Sequence, residues 1–117
     1  MNRIKALSVL DGRYARLTEE LQDIFSEYAL IKYRVFVEIQ WLKFLAGELG
    51  LVEVKDSDMP KIDAIAKDFN AESALMVKEI EKTTNHDVKA VEYYIKRKLA
   101  DAGLASIGEW VHFACTS

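Results

Sequence analysis

From Thr18 onward, apolar side chains recur at Leu21, Ile24, Tyr28, Ile31, Val35, Ile39, Leu42 and Leu45. The alternating steps of three and four follow the turn of an α-helix, so these side chains share one face. Glu20, Glu27, Arg34 and Glu48 fall on the opposite face, and Glu19 and Glu20 supply the acidic first turn that a helix amino terminus favours. Gly47 and Gly50 end the pattern, with "LVEV" as a short extended linker. Such a long span predicts either a break near Glu27 or a partner in a bundle.

The same periodicity continues along the chain. Asp58 ahead of Met59 and Pro60 signals a helix start, followed by a stripe of Ile62, Ile65, Ala66 and Phe69. A further start at Asn70 leads into Leu75, Met76 and Ile80 and the charged run "KEIEK", read as a solvated face with i,i+4 pairing. From Asp87, Val88, Val91, Tyr94, Ile95 and Leu99 step by three and four until Gly103, and Ser106 opens a last helical or irregular piece. Residues 1–17 read as irregular, with the Asp11-Gly12 turn displaying Arg13 and Tyr14. No alternating strand pattern, phosphate-cradling glycine loop or basic helix-turn-helix is present, so the class is all-α and one domain is expected over residues 1–117.

Charge and composition narrow the function. The 16 Lys and Arg against 19 Asp and Glu give a net charge of −3, where a nucleic-acid binder would show a basic surplus. The most apolar window, "VFVEIQWLKFLA", is interrupted by Glu38, Gln40 and Lys43, so no membrane span is expected. The amino terminus lacks the apolar core of a signal peptide, and the single cysteine, Cys115, has no thiol partner for a disulfide or a zinc site. A cytoplasmic protein is expected, without metal or cofactor.

With two histidines in the chain, candidate proton chemistry is scarce. His86 sits in "TTNHDVKAVEY" between Asn85 and Asp87, where one helix ends and the next begins. Either neighbour can cap the new helix, and the unpaired N–H groups of its first turn favour a phosphate or carboxylate. A histidine there can donate to such an anion or can simply cap and pack; from the residues alone both roles stay open. Arg13 and Tyr14 could clamp a phosphate, Thr116 and Ser117 could offer hydroxyls to a carboxylate, and each pair could equally be plain surface. His112, two residues after Trp110, reads as a satisfied core histidine, and Tyr93 and Tyr94 as packing.

The order "LDGRY", "FSEYALIKYRVFVEIQWL", "EIEKTTNHDVKAVEYYIKRKL" and "HFACTS" resembles the amino-terminal part of the bacterial adenylosuccinate lyase family, in the fumarase and aspartase superfamily. The resemblance runs from about Ala6 to Ser117; Val9 stands where that family has proline. It implies a helical amino-terminal domain truncated before a long bundle, with "CTS" continuing into "EDINN" and then into the missing acid and base. It further implies elimination of fumarate from adenylosuccinate, giving AMP, and from succinylaminoimidazole carboxamide ribotide. A homotetramer at full length is implied, with no cofactor. Carried over by position, Arg13 and Tyr14 hold the nucleotide end, Asn85, His86 and Asp87 line the pocket, and Thr116 and Ser117 contact the succinyl part. No catalytic residue is expected within the 117 residues, His86 being at most auxiliary, and the isolated piece is expected to be inactive. The alternative is a non-catalytic helical interaction module that docks through the long helix from Thr18.

Overall fold

The computed structural model describes the backbone of residues 15–115 and the side chains of residues 27–115. Helix α1, Ala15–Gly47, has no break near Glu27, one of the two alternatives its length raised. The chain divides into two compact units, Met1–Leu30 and Ile31–Ser117. In the first, the described part is the beginning of α1. The second contains the rest of α1, then α2 (Met59–Lys67), α3 (Ala71–Thr84), α4 (Asp87–Asp101) and a 3-10 helix at Ala105–Trp110. Every regular element among the described residues is helical, and none of those helices is long and apolar enough to cross a membrane.

From Ile31 onward, the apolar stripe of α1 is buried. Ile31, Val35, Ile39, Leu42 and Leu45 are each no more than 7% exposed. They share a core with Ile62, Ile65 and Phe69 around α2, and with Val91, Tyr94, Ile95 and Leu99 of α4. The Phe69 and Tyr94 rings meet edge to face with centroids 5.7 Å apart, the geometry that aromatic quadrupoles favour. Glu92 is also buried on α4, but Lys89 and Lys96 reach its Oε2 from 3.4 and 3.5 Å, so the charge stays paired.

Helix α3 departs from its expected pattern. Leu75 is 59% exposed, and the buried positions are Ser73, Ala74 and Val77. Small residues on that face let α3 lie close against α4, and the capping box at its start sets the phase. There Asn70 accepts from the Ser73 amide at 2.9 Å while Ser73 Oγ accepts from the Asn70 amide at 3.3 Å. The charged run pairs at i,i+3, Lys78 with Glu81 and Lys82 with Glu79, instead of i,i+4. An i,i+4 contact within "KEIEK" would oppose Lys78 and Lys82, like charges that repel.

One helix start also differs from expectation. Asp58 occupies the cap position of α2 in an α-type conformation, φ −94° and ψ −17°, and makes no side-chain cap; its carboxylate pairs with Lys61 Nζ at 3.2 Å. The extended backbone that aims a capping oxygen at the first turn is missing there. "LVEV" forms no strand, and of its residues Val52 alone is buried. Gly103 does end α4 as expected: with φ +79° it lets the Leu104 amide reach back to the Leu99 carbonyl at 2.7 Å, closing the last turn.

Candidate functional site

Two residues, Asn85 and His86, separate α3 from α4, and each has a distinct backbone duty. Asn85 takes the left-handed conformation, φ 54° and ψ 31°, and its amide donates to the Glu81 carbonyl at 2.7 Å. It therefore closes α3 and does not cap α4; asparagine tolerates this region better than most residues. His86 is extended, φ −152° and ψ 121°, and is itself the cap of α4, its Nδ1 accepting from the Lys89 amide at 3.2 Å. Thr84 Oγ1 steadies the link by accepting from the His86 amide at 3.3 Å and donating to the His86 carbonyl at 3.1 Å.

The cap has a chemical consequence for the imidazole. Accepting at Nδ1 requires the lone pair there, so the neutral ring carries its proton on Nε2. The His86 side chain is 46% exposed, which leaves a donor available at the surface. The junction thus presents an N–H suited to a carboxylate or phosphate oxygen, in an orientation fixed by the fold.

Asp87 shapes the electrostatics beside it. Its Oδ1 accepts from the Val88 amide at 2.8 Å, and its Oδ2 accepts from Arg34 Nη1 of α1 at 2.7 Å. The Arg34 hydrogen bond, then the Val88 amide, hold the Asp87 carboxyl below its ordinary value of 3.8. Asp87 Oδ1 and His86 Nδ1 are 3.9 Å apart, too far for a hydrogen bond. The amides of Val88 and Lys89, which in the sequence were free donors for an anion, are taken by the junction's own side chains. An incoming anion would meet the His86 ring before it met the helix backbone.

Of the residues singled out in the sequence, Asn85, His86 and Asp87 come together here, whereas Arg13, Tyr14, Thr116 and Ser117 lie outside the described residues. Arg34 was assigned to the solvent face of α1, yet it reaches a residue 53 positions away. No local signal could have found that contact. Beside it, a cleft of about 170 Å³ is lined by Tyr33, Arg34, Val37, Glu38, Val88 and Val91, and a second hollow of about 630 Å³ reaches the junction through Thr84.

A family model described as Lyase matches residues 12–117. The chain belongs to this lyase family. Within it, the adenylosuccinate lyase of Vibrio cholerae is 49% identical to this chain over 121 aligned residues. Those of Buchnera aphidicola from Schizaphis graminum and of Escherichia coli are 47% and 46% identical. Each alignment takes in 100% of this chain and 26% of the relative. The chain therefore spans about a quarter of the length of these lyases. The family is that of fumarase and aspartase, in agreement with the four ordered motifs.

Proposed function

We propose that the whole protein to which these residues belong is an adenylosuccinate lyase, a cytoplasmic homotetramer without cofactor. It would release fumarate from adenylosuccinate, giving AMP, and from succinylaminoimidazole carboxamide ribotide. The observation that carries this reading is the identity of 42–49% to lyases of that name over the full chain. In the elimination, a base takes the proton beside a succinyl carboxylate, and negative charge builds toward that carboxylate. The carbon–nitrogen bond then breaks as an acid protonates the nitrogen. Donors aimed at the developing charge accelerate such a step.

In this reading, His86 offers its Nε2 proton to the substrate, Asn85 and Asp87 shape the pocket around it, and Arg34 keeps Asp87 neutralised and turned away from the substrate's anionic groups. Arg13 and Tyr14 contact the nucleotide end, and Thr116 and Ser117 the succinyl part. His86 acts by binding and orienting, and the acid and base come from the remaining three quarters of the protein.

The test is fumarate release from adenylosuccinate, measured in parallel for the natural-length protein and for the 117 residues alone. The natural-length protein should turn over and the piece should not. A natural-length protein without fumarate release would contradict the assignment, and turnover by the purified piece would contradict the division of labour. Exposed apolar residues on α1, among them Tyr33 at 64% and Phe36 at 50%, favour a surface covered by further chain or subunits. A reading frame that stops after the Ser117 codon would favour the stand-alone interaction module instead; continuation into "EDINN" favours the lyase.

A further inference from the structure

The turn after the 3-10 helix brings together three side chains that the lyase reading does not use. Glu38 of α1, His112 and Cys115 each place a ligand-capable atom within 4.8 Å of the other two. His112 Nδ1 lies 2.7 Å from Glu38 Oε1, and both side chains are only 11% exposed, whereas Cys115 is open to solvent. The turn is anchored separately: Trp41 Nε1 of α1 donates to the Phe113 carbonyl at 2.7 Å, and the Trp110 and Phe113 rings pack with centroids 4.8 Å apart. The donors are thus supplied by a rigid helix and a pinned turn, with an open approach along the thiol.

A second observation points the same way. Glu38 Oε2 is buried and has no hydrogen-bond partner among the described residues. A buried carboxylate oxygen without a donor is costly, and a cation beside it offsets that cost. The donor set then selects the ion: sulfur, imidazole nitrogen and one carboxylate suit zinc, while calcium and magnesium take oxygen.

We propose that Glu38, His112 and Cys115 bind one zinc-class divalent ion, which ties the 111–115 turn to α1. With metal–nitrogen and metal–oxygen bonds of about 2.0–2.1 Å, tetrahedral ligand atoms stand roughly 3.4 Å apart. His112 Nδ1 must therefore leave its 2.7 Å hydrogen bond to Glu38 Oε1. Its proton is released while the other ring nitrogen keeps or takes one, so that the Nδ1 lone pair is free for the metal. Three protein ligands leave one position for water. A cysteine thiol ordinarily keeps its proton at neutral pH, whereas the metal ligand is the thiolate. On binding, the sulfur–hydrogen bond breaks, the proton passes to solvent and a sulfur–metal bond replaces it, with no change of oxidation state. The proposal is independent of the lyase reading, since it draws on no substrate-contact residue.

Titration of the natural-length protein with Co2+, followed by electronic absorption, tests it. A saturable thiolate-to-cobalt charge-transfer band is expected, displaced by Zn2+ and absent from Cys115→Ser. Cys115 is exposed, so that variant should keep its fold, which circular dichroism checks. Zn2+ affinity should fall by about 100-fold or more in Cys115→Ser and in Glu38→Gln, because loss of a mere supporting partner typically costs about 10- to 100-fold. Absence of the band, or Zn2+ affinity unchanged in Cys115→Ser, would overturn the proposal.

Discussion

The chain's two histidines are held by opposite kinds of contact. His86 is 46% exposed, and its ring and backbone are fixed by neighbours within three residues, Thr84 and Lys89. His112 is 11% exposed and bonds to Glu38, 74 residues away. A local cap costs little to alter and leaves one face of the ring free for a ligand. A buried long-range pair fastens one element to another, and its removal leaves a carboxylate in a poorly solvated place. The first arrangement suits recognition and the second suits construction.

Truncating His112 should therefore have the largest effect. In His112→Ala, Glu38 loses its partner while still buried, and removing one member of a buried pair costs about 3 kcal/mol or more. Urea unfolding measures this; a loss no greater than that of His86→Ala would erase the distinction. His86→Ala removes only the side-chain cap, so a loss of about 1 kcal/mol is expected from the same measurement.

Asp87→Asn should cost less again, under about 1 kcal/mol, because the Arg34 pair is half exposed. The sign of its pH dependence follows from the lowered carboxyl. The stabilisation is complete above the ordinary value of 3.8 and is lost as pH falls below it through the lowered value. Wild type and variant should converge in acid, and a gap that widens there would contradict the Arg34 pairing. Lys82→Ala breaks a pair whose side chains are 72% and 70% exposed, and no measurable change in midpoint is expected.

The same division between local and distant contacts governs what was legible in the sequence. The α1 stripe, the Asn70 start, the Gly103 stop and the α3–α4 junction all rest on interactions within a turn or two, and periodicity and cap chemistry report those directly. Leu75 was misassigned because two faces of α3 carry apolar residues, and only the approach of α4 decides between them. Capping was one of the two roles open to His86 in the sequence, and the fold assigns it that cap, which neither Asn85 nor Asp87 provides. Arg34–Asp87 and Glu38–His112 join residues 53 and 74 positions apart, and no spacing rule reaches across such gaps. The motifs therefore located the junction, while the charge that balances it and the donor cluster on the far turn required the fold.

The central claim is that His86 divides its ring, with Nδ1 serving the helix and Nε2 serving the substrate. His86→Asn separates the two duties, because asparagine is a good helix cap but cannot place a donor where Nε2 stands. Made in the natural-length protein, the variant should unfold at the wild-type urea midpoint. Its kcat/KM for fumarate release from adenylosuccinate should fall roughly 10- to 100-fold, the equivalent of losing one hydrogen bond to a charged group. An unchanged kcat/KM in a protein of unchanged stability would show that His86 is only a cap.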